Sequence, residues 1–273
     1  MRTYLKLPRE LDGSIWLYRN TGATHRRHHH AELELNLVTH GEGTYLVRGR
    51  RYQLRRGDLI WLFPAQEHLL LEQSQDFAMW IGVFRRKVVR TAPRTASCAV
   101  LLQRDPAGEF CRRLLQQDAR RADLLFQELA VAAPYLRNAG LPYALLTCWQ
   151  YFERAGDIEV ADLHPAVERA ARILSQAPET VSLRSVAASA GISAARLSRL
   201  FRAQTGVAMV EFRNRKRIER FLELYGAGHR RTMLDAALEA GFGSYPQFHR
   251  IFRRTMGYAP MQYRQRRSEG PYA

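Results

Sequence analysis

Three histidines and a glutamate in the first quarter of the chain have residue types and spacings that could hold a metal ion. His28 and His30 are separated by one residue and Glu34 follows after three more, so the period-two alternation of a strand places them on one face. His68 comes from a later strand. Imidazole and carboxylate groups are ligands that Zn, Mn and Fe accept in proteins. The four residues therefore predict a site for a divalent metal.

The sequence around these residues has the pattern of β-strands. From residue 15 to residue 84, short apolar runs alternate with glycine-containing turns. Near position 35 the leucines fall on one strand face, whereas Glu32, Glu34 and Asn36 fall on the other. Many short strands without intervening helices predict a sandwich or a small barrel. Three strand aromatics are candidates for the walls of an effector pocket, with ordinary core packing as the alternative: Tyr45, Trp61 and Trp80.

The spacing of the metal-ligand candidates resembles the first motif of the cupin family, which is matched by Gly22, His28, His30, Glu34 and Gly41. The second motif is less complete. Ala65 stands where cupins usually have glycine and Glu72 where they often have asparagine, although His68 is at the expected ligand position. The resemblance implies a β-barrel with a pocket inside. Such barrels bind a metal, or keep a His-x-His remnant that lines an organic-ligand pocket and requires no cofactor, and both alternatives stay open.

The pattern changes after residue 106. Apolar residues recur every three or four positions in three runs, which predicts helices over 109–115, 123–132 and 143–152. Pro134 and Pro142 are expected to break them. The polar, turn-like stretch 156–163 that follows is predicted to be a linker.

The remainder of the chain contains an internal repeat. Four residues of the first copy recur 50 or 51 positions later: Ala187, Gly191, Phe201 and Gly206 correspond to Ala237, Gly241, Phe252 and Gly257. Each copy has the pattern of a helix-turn-helix, with glycine as a left-handed C-cap and a polar residue such as Ser193 capping the second helix. The connecting segment 207–225 would form a helix about 28 Å long, of the order of the roughly 34 Å between successive major grooves.

Charge is concentrated in the same region. The chain has a formal net charge of +16, and residues 164–273 hold 19 Lys+Arg against 8 Asp+Glu. Positive charge on helix-turn-helix units suggests DNA as a partner, because arginine can bond both acceptors of guanine in the major groove. The outward positions are Ala195, Arg196, Ser198, Arg199 and Arg202 on the first recognition helix and Tyr245, Gln247, His249, Arg250 and Arg253 on the second. Phosphate contacts are predicted for the connector residues Arg213, Arg215 and Lys216.

Residues 164–267 resemble the tandem DNA-binding domain of AraC/XylS-type transcription regulators. The second copy matches that family at Gly241, Phe242, Phe248, Arg250, Phe252, Arg253, Gly257, Pro260, Tyr263 and Arg264. Pro246 departs from the pattern where the recognition helix should begin, a position at which proline is tolerated. The resemblance implies binding of double-stranded DNA, a small-molecule effector in the N-terminal domain, RNA polymerase as a partner, and a homodimer.

Together these observations predict an α+β fold with two domains. We expect a cupin-like sensor barrel at 1–106, a helical dimerisation or packing segment at 107–155, a linker at 156–163, the tandem helix-turn-helix domain at 164–267 and a tail at 268–273. The mixed, charged N-terminus is not expected to be a signal peptide, and no apolar run is long enough for a membrane helix, so we expect a cytoplasmic, nucleoid-associated protein. Cys98, Cys111 and Cys148 do not form a disulfide framework.

The predicted function is a sequence-specific DNA-binding transcription regulator, and not an enzyme, whose cupin domain senses a small molecule. Two alternatives remain. A metal-dependent cupin enzyme with a helical appendage would use His28, His30, Glu34 and His68 in catalysis. A constitutive architectural DNA-binding protein would need no pocket. Metal analysis of the purified protein discriminates the first alternative, and a ligand-dependent shift in melting temperature counts against the second.

Overall fold

The computed structural model of the protein describes residues 7–20, 31–93, 95–226 and 231–263. These residues form two compact units, and the chain passes from the first to the second between Asp162 and Leu163. The N-terminal unit is built mainly of strands and the C-terminal unit of helices, as the sequence predicts. No helix of the described residues is long and apolar enough to cross a membrane.

The N-terminal unit contains two antiparallel sheets. Its strands are β1 (Gly13–Arg19), β2 (Leu33–His40), β3 (Glu42–Val47), β4 (Arg50–Arg55), β5 (Asp58–Leu62), β6 (His68–Gln73), β7 (Ala78–Phe84), β8 (Cys111–Arg113), β9 (Gly156–Asp157) and β10 (Val160–Asp162). One sheet has the order β1-β7-β2-β5-β8-β9 and the other the order β10-β4-β3-β6. This arrangement matches the predicted sandwich or barrel.

All helices of the described residues come after β7 in the sequence. They are α1 (Arg86–Val89), α2 (Ala96–Ala99), α3 (Gln116–Val131), α4 (Pro134–Glu153), α5 (Pro165–Gln176), α6 (Leu183–Ala190), α7 (Ala194–Thr205), α8 (Met209–Gly226), α9 (Met233–Glu239) and α10 (Tyr245–Met256). A short 3-10 turn, Val100–Leu102, follows α2. The helices α3 and α4 belong to the N-terminal unit.

The alternating pattern of β2 determines which side of its sheet faces the helices. Leu33, Leu35 and Leu37 are at most 2% exposed and join one apolar cluster with residues of α3 and α4. Glu34 and Asn36 are buried too, but on the opposite face. The predicted separation of an apolar and a polar face is therefore confirmed, and the polar face is enclosed rather than exposed to solvent.

Two details of the helical prediction are wrong. Residues 109–115 contain the strand β8, because Cys111 pairs with Ile60 and extends the larger sheet. Pro142 lies inside α4 rather than at a break. Proline costs that helix one backbone hydrogen bond, but the neighbouring residues Leu141, Ala144 and Leu145 are fully buried, and their burial outweighs the loss.

The segment predicted to be a linker, 156–163, also differs from the expectation. β9 pairs with β8, and β10 pairs with β4, so this stretch adds the last strand to each of the two sheets. Arg112 lies opposite Asp157 and Arg50 opposite Asp162, each as an ion pair of 3.4 Å. Backbone pairing at a sheet edge needs no apolar side chains, which is why a polar sequence concealed these strands.

The C-terminal unit contains the predicted tandem repeat. The pairs α6–α7 and α9–α10 are the two helix-turn-helix copies, and α8 connects them. Gly191 ends α6 in the left-handed conformation with φ 75°, and the Ser193 hydroxyl accepts a hydrogen bond from the Arg196 backbone at the start of α7. Both capping predictions are confirmed. The helix α5 was not predicted. The His164 side chain caps its start by accepting a hydrogen bond from the Ala166 amide.

Candidate DNA interface and effector site

The first recognition helix, α7, buries one side and exposes the other. Leu197 and Phe201 are 0% exposed, because they fall on the face that packs into the unit. The outward positions predicted from sequence are all exposed: Ala195, Arg196, Ser198, Arg199 and Arg202. The helix thus presents three guanidinium groups and two small side chains on one surface, a shape and chemistry suited to a major groove.

The second recognition helix, α10, has the same division. Phe248, Ile251 and Phe252 are buried, and Arg250 and Arg253 are exposed. Arg254, which the sequence interpretation omitted, shares a concave surface with His249, Arg250 and Arg253. The run of adjacent cations at 253 and 254 was the sequence signal for it.

Three other residues predicted on α10 are partly occupied by contacts within the protein. The Tyr245 ring lies 5.6 Å from that of Phe248, and its hydroxyl points at the Met233 sulfur. The Gln247 side-chain oxygen accepts a hydrogen bond from the Gly243 amide. His249 is half-buried. Pro246 lies in the first turn of α10, where its missing amide hydrogen costs nothing.

Two of the connector cations predicted to contact phosphate form ion pairs within α8 instead. Arg215 pairs with Glu211 at 2.6 Å, and the Lys216 ammonium bonds both carboxylate oxygens of Glu219. Lys216 is only 1% exposed. Its predicted phosphate contact is therefore wrong, because a buried, neutralised ammonium cannot reach a DNA backbone. Burial also lowers the pKa of the Arg213 guanidinium.

The aromatic residues predicted to line an effector pocket are separated by the structure. Trp61 packs edge-on against Trp149 of α4 with 5.7 Å between ring centroids. Trp80 lies 6.2 Å from Phe126, and its ring nitrogen donates to Asp123 at 2.6 Å. Both tryptophans occupy strand positions of the helix-facing leucines, so their assignment to the pocket is corrected: they form the core between sheet and helices.

Tyr45 lies on the opposite side of the larger sheet, among polar residues. Asn36 donates to the Tyr45 hydroxyl at 3.1 Å and to the Glu34 carboxylate at 2.9 Å. The His68 ring lies 6.4 Å from the Tyr45 ring. Burial, together with the negative charge of Glu34, raises the pKa of Tyr45 well above its usual value, so its hydroxyl stays protonated. We refer to Glu34, Asn36, Tyr45 and His68 as the inner polar cluster.

The structure describes two of the four predicted metal ligands. Glu34 and His68 both belong to the inner polar cluster, whereas His28 and His30 lie outside the described residues. Within the described ranges, no group of three or more histidine, cysteine, aspartate or glutamate side chains is arranged to hold a metal ion. Asn36 is the member that the prediction did not select, although its place on the polar face of β2 was visible in the alternation.

Two family models match the chain in the order of its two units. The AraC-like ligand binding domain matches residues 13–81, and a helix-turn-helix domain matches residues 186–266. Among curated proteins, the chain is 26% identical over 253 residues to the uncharacterized HTH-type transcriptional regulator YfiF of Bacillus subtilis, covering 87% of this chain and 78% of that one.

Solved structures give weaker similarities. ToxT from Vibrio cholerae with an unsaturated fatty acid bound is 14% identical, with 92% of this chain and 93% of that chain covered and a TM-score of 0.41. The C-terminal domain of AraT, a response regulator from Geobacillus stearothermophilus, is 26% identical, with 41% and 94% covered and a TM-score of 0.37.

The two family models each match part of one unit, and the curated relative is a transcription regulator rather than an enzyme. The chain thus carries an AraC-like ligand-binding domain followed by a helix-turn-helix DNA-binding domain, which is the make-up of an AraC-type transcription regulator.

Proposed function

We propose that this regulator reads a specific DNA sequence by inserting α7 and α10 into successive major grooves. The observation that carries the proposal is that the arginines of these two helices are exposed and left unpaired by the described residues, unlike most cations of α8. Within the described residues, Arg196, Arg199, Arg202, Arg250 and Arg253 are exposed and form no ion pair, while on α8 Arg215, Lys216 and Arg220 are each paired with a glutamate. Unpaired guanidiniums on the recognition helices remain available for bases and phosphates.

Individual roles follow from position on each helix. Arg199 and Arg250 lie near the middle of the outward faces and are assigned to base edges, with Arg196 and Ser198 beside Arg199 and with Ala195 against a thymine methyl group. Arg202 and Arg253, one turn further along, are assigned to phosphates. Gln247 and His249 contribute to base contacts at the edge of the second surface. On the connector, Arg213 forms no ion pair with a described residue and stays a candidate phosphate contact, whereas Arg215 would have to leave Glu211 to make one.

The test is a comparison of two single substitutions. After genomic footprinting has supplied the operator, Arg199→Ala should weaken operator binding by about 1–3 kcal/mol and relax specificity at one base position. Arg253→Ala should instead weaken operator and scrambled DNA alike. Affinities measured on both DNAs decide the matter. Equal weakening on the two by Arg199→Ala would remove its base-reading role.

We propose that the sensor unit binds a small polar organic effector at the inner polar cluster and that effector binding modulates DNA affinity. The support is chemical: four polar side chains converge in an otherwise apolar interior, and the buried Asn36 Oδ1 accepts no hydrogen bond from the described residues. Glu34 already accepts a bond from Asn36, which fits an organic hydrogen-bonding site better than a metal site. Stoichiometric Zn, Mn or Fe in purified wild type that is lost in Glu34→Ala would contradict this proposal.

We propose that the regulator is a homodimer joined through α3 and α4. Four large apolar side chains of these helices are at least 65% exposed, namely Leu124, Val131, Tyr135 and Tyr143. Such a concentration marks a contact surface, and a second copy is the commonest partner. As a regulator that binds DNA, the protein is proposed to act on the nucleoid in the cytoplasm. RNA polymerase at its promoters is proposed as a further partner.

The dimer is testable by sedimentation velocity. Leu124→Ser with Tyr143→Ser should convert the wild-type dimer to a monomer without changing its helical content. Leu234→Ser, at a residue 46% exposed on α9 of the other unit, is the control and should remain dimeric. A monomeric wild type would rule the proposal out.

A further inference from the structure

A cavity of about 300 Å³ lies in the N-terminal unit, away from the inner polar cluster. It forms where β2 ends, where the turn between β4 and β5 passes, and where α3 begins. The residues that line it and matter here are Leu37, Arg56, Arg113, Leu114, Arg120 and Asp123. None of Glu34, Asn36, Tyr45 and His68 contributes to its wall.

The cavity wall carries an excess of positive charge. Arg56 and Arg120 are exposed, and neither forms an ion pair with any described residue. Arg113 is held in a two-point ion pair with the buried Asp58, at 2.8 and 3.0 Å. Asp123 supplies the one carboxylate of the wall, and one of its oxygens already accepts the Trp80 ring N–H at 2.6 Å. Arg56 and Arg120 are therefore the two arginines of the wall that no carboxylate of the described residues neutralises.

The start of helix α3 strengthens the preference of the cavity for an anion. α3 is 16 residues long, and its N-cap, Leu115, offers no side chain to the backbone amides of the first turn. Gln116 and Ala119 of that turn line the cavity. The Ala119 amide already donates to the Leu115 carbonyl, so the helix start acts on the cavity through the amide of Gln116. The amides of a helix start carry partial positive charge and favour an anion beside them. Leu37 and Leu114, both at most 4% exposed, add an apolar floor.

We propose that this cavity is a second ligand site of the sensor unit and binds a small organic anion, a carboxylate or phosphate monoester with a short apolar group. The anionic end is held by Arg56, Arg120 and the start of α3, and the apolar part lies on Leu37 and Leu114. The site is distinct from the effector site proposed at the inner polar cluster and does not depend on it.

Isothermal titration of the full-length protein with phenyl phosphate and with benzoate tests the proposal. At least one of the two should bind saturably with one site per chain, and neutral benzyl alcohol should not. Arg120→Gln and Arg56→Gln should each weaken binding about tenfold or more, the worth of a charge-assisted hydrogen bond. Arg121→Gln is the matched control, because Arg121 is the next residue of α3, is exposed and does not line the cavity.

Three results would overturn the proposal. One is the absence of saturable binding of both anions to the wild type. Another is equal weakening by Arg121→Gln and Arg120→Gln, which would show attraction to a charged surface rather than a site. Binding that survives both cavity substitutions but is lost in Asn36→Ala would place the anion at the inner polar cluster, and would count against this site while supporting the effector proposal.

Discussion

Some cations of the DNA-binding unit form ion pairs with glutamates and others do not. Whether a cation is paired decides its availability for DNA more than the number of cations on its helix does. The helix α8 carries more cations than either recognition helix, yet its Arg215, Lys216 and Arg220 are each paired with a glutamate three or four residues away. On α7 and α10 no acidic residue occupies such positions. A count of charge therefore pointed to DNA correctly but assigned Lys216 to it wrongly.

A buried tyrosine of the sensor unit gives a prediction for alkaline stability. Tyr52 is 5% exposed and its hydroxyl donates to Glu109 at 2.6 Å. Burial raises the pKa of Tyr52 from 10.0 to about 12. The unfolded tyrosine then ionises before the folded one, so this contribution is complete below about pH 10 and is lost as pH rises through about 12.

The measurement is urea unfolding of wild type and Tyr52→Phe at about pH 9 and about pH 12. Wild type should lose more stability over this range than the variant, by an amount on the order of 2 kcal/mol, because phenylalanine has no proton to release. Every other ionisable group is common to the two proteins, so its contribution cancels in the comparison. An identical loss of unfolding free energy in the two proteins would contradict the raised pKa of Tyr52.

Elements with strong side-chain patterns could be predicted from the sequence, and elements formed by backbone pairing alone could not. The alternation of β2 and the repeat of α6–α7 in α9–α10 follow from residue spacing, and the structure contains both. The strands β8, β9 and β10 have two or three residues each, too few for a period to show. The polar face of β2 indicated the position of Asn36. The positions of Trp61 and Trp80 could not be predicted, because they depend on which strand face packs against α3 and α4.

The two repeat copies also differ at their turn glycines, which predicts unequal costs of substitution. Gly191 has φ 75° and open space around its Cα, so Gly191→Ala should cost only the backbone strain, about 1–2 kcal/mol. Gly241 has φ 93°, and a Cβ there would collide with the backbone of Glu179, so Gly241→Ala should cost more.

Thermal and urea unfolding of the variants checks this order. Gly243→Ala is the control: its φ is not positive and its new Cβ would meet only the Gln247 side chain at 3.5 Å, so its cost should be within about 0.5 kcal/mol. A Gly241→Ala variant as stable as Gly191→Ala would show that the contact with Glu179 can relax.

For the whole molecule, the net charge of +16 predicts salt-dependent DNA binding, but not equally from every cation. Each phosphate contact contributes about 0.9 to the slope of log affinity against log salt concentration. Arg253→Ala should flatten the slope by about that amount. Arg220→Ala changes the charge equally, but Arg220 is already paired with Glu223, so its slope should stay close to wild type. Affinities measured at several salt concentrations separate the two variants, and equal flattening would contradict the distinction.

The strands β9 and β10 have a practical consequence for dividing the molecule. Because the stretch before the helical unit supplies the outermost strand of both sheets, a sensor fragment ending at residue 155 would leave the backbone groups of β8 and β4 unpaired at two open edges. Open edges are templates for intermolecular pairing. A fragment that ends after Asp162 keeps β8 and β4 paired and leaves at these edges only strands of two and three residues. It should be the one that stays monodisperse in size-exclusion chromatography when the shorter fragment aggregates.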